Sequence, residues 1–496
     1  MNSIPPPPTN VRQIATTPNR RVITAILAVL IGYQALMYGL VMRVTLHLTV
    51  VLIPWLLRQP GYRLFDTINL GYTPAYLWFE SALAGIIPDP QWRIRLQMIV
   101  FTALVTILVY SLARRWWGRK IGLLAAALYA VWGPTIMDYL IYLEMFLGIL
   151  ALCALVVWDN TAPTRFWRPL LAGVCIGMAV MVKQHGIALI IVFVVWRLTS
   201  PDRSTILRDL GWLLVGFVVP ILLGLTVIAS QGLLGSSVFA MLGSFTPYTA
   251  NYELPSLSEI VIFILWVSPA ILFGLLTVFR RDSWGRQPIL LIGLLLALLT
   301  PVIPRYGRFH LAGAVPLVAL IGAGLVFYFL RLRETQPRIF QYARVFSVIT
   351  LLFALIALVL PTYYRLKLGA QTSQYDALVD LSAQVKNMTS IGAGQRAWIL
   401  PNIDPTSNFY AVSGDLPPKY WTEDYPWIWQ ESPTVETRMI QGLDADPPAI
   451  AIVIDHWRDQ IPSELNTYLS AHYTPVGHLS VGEDIQSPVT LYRKNP

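Results

Sequence analysis

Residues 61–96 read GYRLFDTINLGYTPAYLWFESALAGIIPDPQWRIRL. This is the first long interruption after the first apolar segment, and downstream of it one hydrophobic run follows another. The stretch carries two carboxylates, Asp66 and Glu80, the aromatics Tyr72, Tyr76 and Trp78, and the pair Arg93 and Arg95. The apolar runs around it approach the roughly twenty residues that a helix needs to cross a hydrocarbon core of about 30 Å. A loop this rich in ionisable and aromatic groups therefore sits at the mouth of a membrane bundle. The chain reads as an all-α polytopic membrane protein.

Composition supports that reading. With 496 residues, 55% hydrophobic and 13% charged, and a mean hydropathy of +0.57, the chain lies outside the range of soluble globular domains. The formal net charge of +9 falls mostly in short loops between apolar runs. That is the orientation signal of membrane proteins, so no nucleic-acid partner is expected. Cys153 and Cys175 both lie inside apolar runs and offer neither a metal-ligand spacing nor a disulfide framework. Residues 1–21, Pro-rich and polar, read as a short disordered cytoplasmic tail.

About eleven spans are expected, at roughly 22–42, 96–113, 121–137, 141–158, 169–182, 186–198, 210–230, 260–279, 288–303, 311–330 and 345–363. Lys and Arg concentrate in alternate loops: Arg20 and Arg21, then Arg114 to Lys120, Arg165 and Arg168, Arg203 and Arg208, Arg280 to Arg286, and Arg331 to Arg344. This pattern places the N-terminus inside. The first outer loop 43–95, the 231–259 loop and everything after Tyr364 then face outward. The membrane domain is read as 22–364 and a second domain as 365–496.

Basic residues left on the outer side run against that bias. They include Arg43, Arg58, Arg63, Arg93, Arg95, Lys183, Arg305 and Arg308. Each alone could snorkel to the interface, but as a set they suggest an anionic ligand. The sharpest case is PVIPRYGRFH (301–310), where two prolines break a span and Arg305, Arg308 and His310 gather within six positions. Guanidinium groups bind phosphate oxygens in charge-assisted pairs, and Lys183 beside Gln184 and His185 could add a point charge. Among acids, Glu144 in PTIMDYLIYLEMF reads as the first turn of a span, and Asp138 as a solvated turn residue. Glu80 shares a helical face with Tyr76; a helix lying flat in the interface explains both more readily than chemistry does. Tyr72, Tyr76, Trp78 and Trp92 read first as an interfacial belt, with sugar stacking second.

Beyond Tyr364 the chain turns polar. AWILPN (397–402), AIAIVIDH (449–456) and VTLYRK (489–494) read as strands, PTVETRMIQGLDA and PSELNTYLSAHY as helices. Their alternation implies a small extracytoplasmic α/β domain with at least part of a parallel sheet. It holds no phosphate-binding or nucleophile motif.

Four stretches together resemble the GT-C glycosyltransferases, in particular the bacterial branch related to protein O-mannosyltransferases and lipid A aminoarabinose transferases. They are GYRLFDTINLGYTPAYLW, WRIRLQMIV with YSLARRWWGRKIGLLAAALYA, YLIYLEMFLGILAL, and RYGRFHLAGAVPLVALIGAGL. The resemblance covers roughly residues 20–330. It implies a GT-C-type fold in the plasma membrane and transfer of a sugar from a polyprenyl-phosphate carrier to a lipid, protein or polysaccharide acceptor on the outer face. Members usually carry an acid soon after the first span, taken as the catalytic base. Here no carboxylate occurs between Met1 and Asp66, and His47 stands about where the acid is expected.

On that reading Asp66 or Glu144 supplies the base, or His47 replaces it. Arg305, Arg308, His310 and Lys183 neutralise the departing phosphate, and Tyr72, Tyr76, Glu80 and Arg93 contact acceptor or sugar. No cofactor is required, although an outer carboxylate pair could hold a divalent metal. The competing reading is a non-catalytic lipid-linked sugar binder or a flippase. Transporters tend to show internal repeats and charges at the midplane. No repeat is evident here, and the ionisable groups cluster toward the outer rim.

Overall fold

The structure, a computed structural model, describes residues 20–42, 44, 46–136, 141–158, 165–200, 203–243, 256–279, 287–302, 308–332, 345, 349, 374–389, 395–423, 433–479 and 488–496. Nearly all of the expected N-terminal tail and of the expected span 345–363, and the expected domain boundary at 364, lie outside them.

The bundle opens with α1 (Arg20–Leu36), prolonged by a π-turn over Met37–Val41, and a short α2 (Leu52–Leu56). There follow α3 (Pro74–Ile86), α4 (Pro90–Trp117), α5 (Arg119–Ile136), α6 (Leu143–Trp158) and α7 (Trp167–Val182). Next come α8 (Ile187–Leu198), α9 (Ile206–Ser230), α10 (Leu234–Gly243), α11 (Leu257–Phe279), α12 (Gln287–Leu298) and α13 (Val315–Leu332). Among the described residues, Arg20–Val41, α4 and α9 are long and apolar enough to cross a membrane by themselves. The exposed side chains along the middle of α9, including Leu214, Val218, Leu222 and Leu223, are apolar, as a lipid-facing surface requires.

Local sequence explains the helix ends. Asp89 caps α4, its Oδ1 accepting from the Trp92 amide at 2.9 Å, with Pro90 at the first helical position. The helix therefore begins six residues before the expected 96, and Arg93 and Arg95 belong to it rather than to a loop. It ends with Arg114 and Arg115 in its last turn and Gly118 at φ 93°, a conformation that favours glycine. The α7–α9 contact depends on glycine differently: a Cβ on Gly173 would stand 2.1 Å from Leu213 O, and one on Gly216 2.0 Å from Leu170 O. Small residues here let two backbones touch.

Three of the outer basic residues, Arg58, Arg93 and Arg95, find protein partners. Arg95 Nη1 donates to Tyr38, Gly39 and Met42 carbonyls at 2.9–3.1 Å, closing the π-turn after α1. Arg58 donates to Ala84 O (2.8 Å), and Arg93 to Ile87 O (3.1 Å) and Val50 O (2.7 Å). Carbonyls at helix C-termini lack intrahelical partners and carry partial negative charge. Each of these three arginines satisfies at least one such carbonyl, so these three drop out of the anion site expected of the set.

The C-terminal domain carries a four-stranded sheet of order β1-β2-β4-β3, with β1 Ala397–Leu400, β2 Ile450–Ile454, β3 Tyr473–Leu479 and β4 Val489–Lys494. β1 and β2 are parallel (Ala397↔Ile450); β4 is antiparallel to both β2 and β3. Helices α14 (Gln374–Thr389), α15 (Phe409–Ser413), α16 (Pro433–Ala445) and α17 (Ser463–His472) accompany it. Every residue of β1 and β2 is buried, which accounts for their continuous apolar runs.

The first outer loop is sewn to this domain. The Trp421 amide donates to Thr67 O (2.8 Å), and Trp421 O accepts from the Asn69 amide (2.9 Å). Tyr62 Oη donates to Pro417 O (2.7 Å) and accepts from Arg396 Nη1 (2.8 Å). Loop and domain thus cover the same end of the bundle.

Candidate active site

At that end, Tyr142 immediately precedes α6 and gathers side chains from four segments. The His47 ring meets it edge-on with centroids 4.7 Å apart, Phe309 stands at 4.7 Å and His310 at 5.8 Å. Lys183 Nζ lies 5.3 Å from the Tyr142 ring centre, and the Tyr142 and Tyr72 hydroxyls are 3.0 Å apart. An aromatic face beside an ammonium favours the cation when water is excluded.

Beneath Tyr142 lies a buried ionic cluster. Glu144, in the first turn of α6 and fully buried, accepts through Oε1 from Lys183 Nζ at 2.5 Å and from His310 Nδ1. Its other oxygen, Oε2, has no hydrogen-bond partner among the described residues. Lys183 and His310 are both nearly inaccessible, at 6% and 2% exposure. A carboxylate buried without partners would cost several kcal/mol, on the order of what a cationic partner returns, so these positions are interdependent.

Backbone geometry puts them there. Lys183 ends α7 in an extended conformation, and the following 3-10 turn, Gln184–Gly186, leads into α8. Gln184 Nε2 donates to Gly71 O (2.7 Å), tying this corner to the first outer loop. His310 lies in another 3-10 turn, Arg308–Leu311, and Val315 rather than residue 311 begins α13. The turn seats directly on α6: a Cβ on Gly313 would lie 2.4 Å from Glu144 O, and one on Gly148 2.5 Å from Gly313 O.

A second pair, His47 and Asp404, also borders Tyr142. His47 Nε2 lies 3.2 Å from Asp404 Oδ2. Asp404 Oδ1 also accepts from the Leu48 amide (2.8 Å) and from Asn408 Nδ2 (3.2 Å). His47 Nδ1 is engaged by the Thr49 hydroxyl (2.7 Å) and amide (3.2 Å). Burial pushes the His47 imidazole below its ordinary value, partly offset by Asp404. Burial pushes the Asp404 carboxyl up, against the pull of His47, the Leu48 amide and Asn408.

Other sequence-derived candidates go elsewhere. Asp66 is 3.7 Å from Arg438, which also donates to Asp66 O (2.7 Å) and lies over the Tyr420 ring. These groups line a small cavity of about 60 Å³ with Phe65, Asn69, Ser236, Phe239 and Val435, at the joint between loop and C-terminal domain. Among the described contacts Asp66 does not join the Tyr142 cluster.

Glu80, Tyr76 and Arg93 are 0%, 1% and 2% exposed, which corrects both the flat interfacial helix and the acceptor contacts expected of them. Glu80 accepts from Gln97 Nε2 (3.0 Å) and faces Arg93 at 3.8 Å. Burial raises its carboxyl to about 7, against the lowering influence of Gln97 and Arg93. Lys183 and His310, expected at the rim, are interior groups held by Glu144. Arg305 and Asp138 lie outside the described residues, as does the Arg308 side chain.

Sequence reading missed Tyr142, Thr49 and Asp404. Asp404 sits in PNIDP, a turn-like segment of the other domain with no signal of its own. Among the described residues no group of three or more His, Cys, Asp or Glu side chains could hold a metal ion.

Residues 72–228 match the dolichyl-phosphate-mannose-protein mannosyltransferase family. No curated protein matches in sequence. Among solved structures, ArnT from Cupriavidus metallidurans bound to undecaprenyl phosphate superposes with a TM-score of 0.63 at 14% identity, over 95% of this chain and 97% of that one. Its apo state gives 0.59 at 13%, over 95% and 98%. The apo oligosaccharyltransferase of Archaeoglobus fulgidus gives 0.51 at 14%, over 88% of this chain and 70% of that one. The chain thus shares the fold of these structures over nearly its whole length, and the family match is confined to residues 72–228, in keeping with the GT-C resemblance of its loops.

Proposed function

We propose that this protein is a membrane glycosyltransferase that moves a sugar from a polyprenyl-phosphate donor to an acceptor on the extracytoplasmic face of the membrane. The observation that carries the reading is the Glu144–Lys183–His310 cluster, buried under Tyr142 where the first outer loop meets the bundle. Two further facts support it: the GT-C fold, and the lipid phosphate bound to a protein of that fold.

The chemistry follows from the groups present. An ammonium has three donors, and one of those on Lys183 goes to Glu144, which leaves donors for a phosphate oxygen. Glu144 fixes Lys183 and His310 beforehand, so no reorganisation is needed as negative charge develops on the departing phosphate. Arg308, two residues before His310, and Arg305 are assigned to the same phosphate. Tyr72, hydrogen-bonded to Tyr142, forms the wall nearest the sugar. Phosphate leaves without protonation, so only the acceptor's proton needs a base, and the His47 side of Tyr142 is where that proton goes. The acceptor is a lipid, protein or polysaccharide hydroxyl or amine, and the cellular site is the plasma membrane with residues 365–496 outside.

The test uses purified protein in detergent with radiolabelled polyprenyl-phosphate hexose and pentose. Wild type is expected to transfer or release label, and Lys183→Met to lower kcat by about 100-fold, as for loss of one oxyanion-stabilising donor. Tight binding of donor without turnover, across a broad acceptor panel, would instead identify a non-catalytic binder.

A further inference from the structure

The first outer loop has no acid between Met1 and Asp66, and Asp66 is engaged with Arg438. Yet a carboxylate does lie on residues 47–48. Asp404 reaches them from 356 positions away, accepting from the Leu48 amide through Oδ1 and facing His47 through Oδ2. Three donors, the Leu48 amide, Asn408 Nδ2 and His47 Nε2, hold it in one orientation. Its side chain keeps 20% exposure, unlike the sealed Glu144 at 1%. Each carboxylate oxygen accepts through two lone pairs, so Oδ2 retains one acceptor position when His47 fills the other.

His47 is less suited to take a proton from substrate. Thr49 engages Nδ1 through both its amide and its hydroxyl, while Nε2 faces Asp404. An amide that donates to Nδ1 leaves the ring proton on Nε2, directed at Asp404.

We propose that Asp404 of the C-terminal domain is the catalytic base of the transfer, supplying from another domain the acid that the first outer loop lacks, with His47 as its positioning partner. The assignment rests on the transferase reading above. The acceptor hydroxyl gives its proton to Asp404 Oδ2 while its oxygen bonds to the anomeric carbon. The bond from that carbon to the phosphate oxygen breaks, its electron pair leaving with polyprenyl phosphate, and Asp404 then releases the proton to solvent. Burial favours a carboxyl more basic than an ordinary Asp, which suits this role. The charged groups around the pair are His47 itself and, acting on His47, Glu144 and Lys183.

The experiment measures initial rates of full-length protein in detergent, from pH 4.5 to 8.5, with polyprenyl-phosphate [14C]mannose and a panel of Ser/Thr peptides, lipid A and polysaccharide. Asp404→Asn should lower kcat by about 100-fold or more with the donor KM within about threefold. Asp404→Glu should recover part of the rate. His47→Ala should move the acidic limb of the rate profile to higher pH, because a donor favouring the carboxylate is gone; a merely structural contact would lower the rate without moving the limb. If Asp404→Asn turns over within about threefold of wild type with the limb unchanged, the assignment is overturned and the transferase reading stands. If Asp404→Asn loses retention of undecaprenyl phosphate through misfolding, Asp404→Glu decides: a displaced limb supports the base, an unchanged limb overturns it. Wild type that transfers to no acceptor overturns the transferase reading and this assignment with it.

Discussion

Glu144 shows how one buried acid organises its neighbours. Removing one partner of a buried ion pair leaves an uncompensated charge, at a cost of about 3–5 kcal/mol. Glu144→Ala is therefore expected to lower thermal stability by that order, through stranding Lys183, whereas Glu144→Gln keeps the shape and loses mainly turnover. Unfolding temperatures in detergent separate these, and an unchanged melting point for Glu144→Ala would remove the cluster's structural role. Glu80 behaves differently. Its carboxyl is raised to about 7 in the fold, so its contribution to stability is present below the ordinary carboxylate range and is lost as pH rises through about 7. Wild type should lose stability between pH 5 and 8 relative to Glu80→Gln. Parallel pH dependence in both proteins would contradict this. At this scale sequence picked out Glu144, Lys183, His310 and His47 as chemically unusual. Their pairing was hidden, because nothing in YLIYLEMF tells that Lys183 and His310 arrive at one oxygen.

Elements owe their positions to small residues at close contacts. Gly148 and Gly313 let the turn bearing His310 rest on the first turns of α6. Gly148→Val should push that turn away, separating His310 from Glu144. Donor turnover is expected to fall while helix content measured by circular dichroism stays constant; full activity would show that the turn tolerates the displacement. In α7 and α9, Gly173→Leu places a side chain where the Leu213 carbonyl stands, and overpacking of this kind costs on the order of 1–3 kcal/mol or more. The helices themselves were legible from apolar runs, with ends displaced where capping decided, as at Asp89. The strand Tyr473–Leu479 was not. Its residues, YTPVGHL, include Pro and Gly and are mostly exposed, because β3 is a sheet edge with only one strand beside it.

Across the whole molecule, the segment around Tyr62–Asn69 is held against the C-terminal domain. Arg396 pairs with Asp446 and donates to both Tyr62 Oη and Pro417 O, so it braces the seam. Arg396→Ala is expected to raise hydrogen exchange in residues 61–70 without altering exchange in α7 or α9. Exchange unchanged in the loop would mean that the Trp421 backbone pairing suffices alone.

The sequence by itself determined the solvent of this protein and its segmentation. Apolar runs of membrane length cannot be buried otherwise, and the polar, alternating tail can build only a small α/β unit. It also pointed to the loop at 61–96 as a place for chemistry, yet among the described contacts only Tyr72 of the candidate side chains there meets Tyr142. Only tertiary structure decided which ionisable groups face one another. Long-range pairing depends on where helix ends and turns come to rest, and no local pattern encodes it. Three outer arginines therefore went to helix carbonyls, and Lys183 and His310 to Glu144. For the same reason a carboxylate from PNIDP, 356 residues along the chain, came to rest on Leu48 and His47.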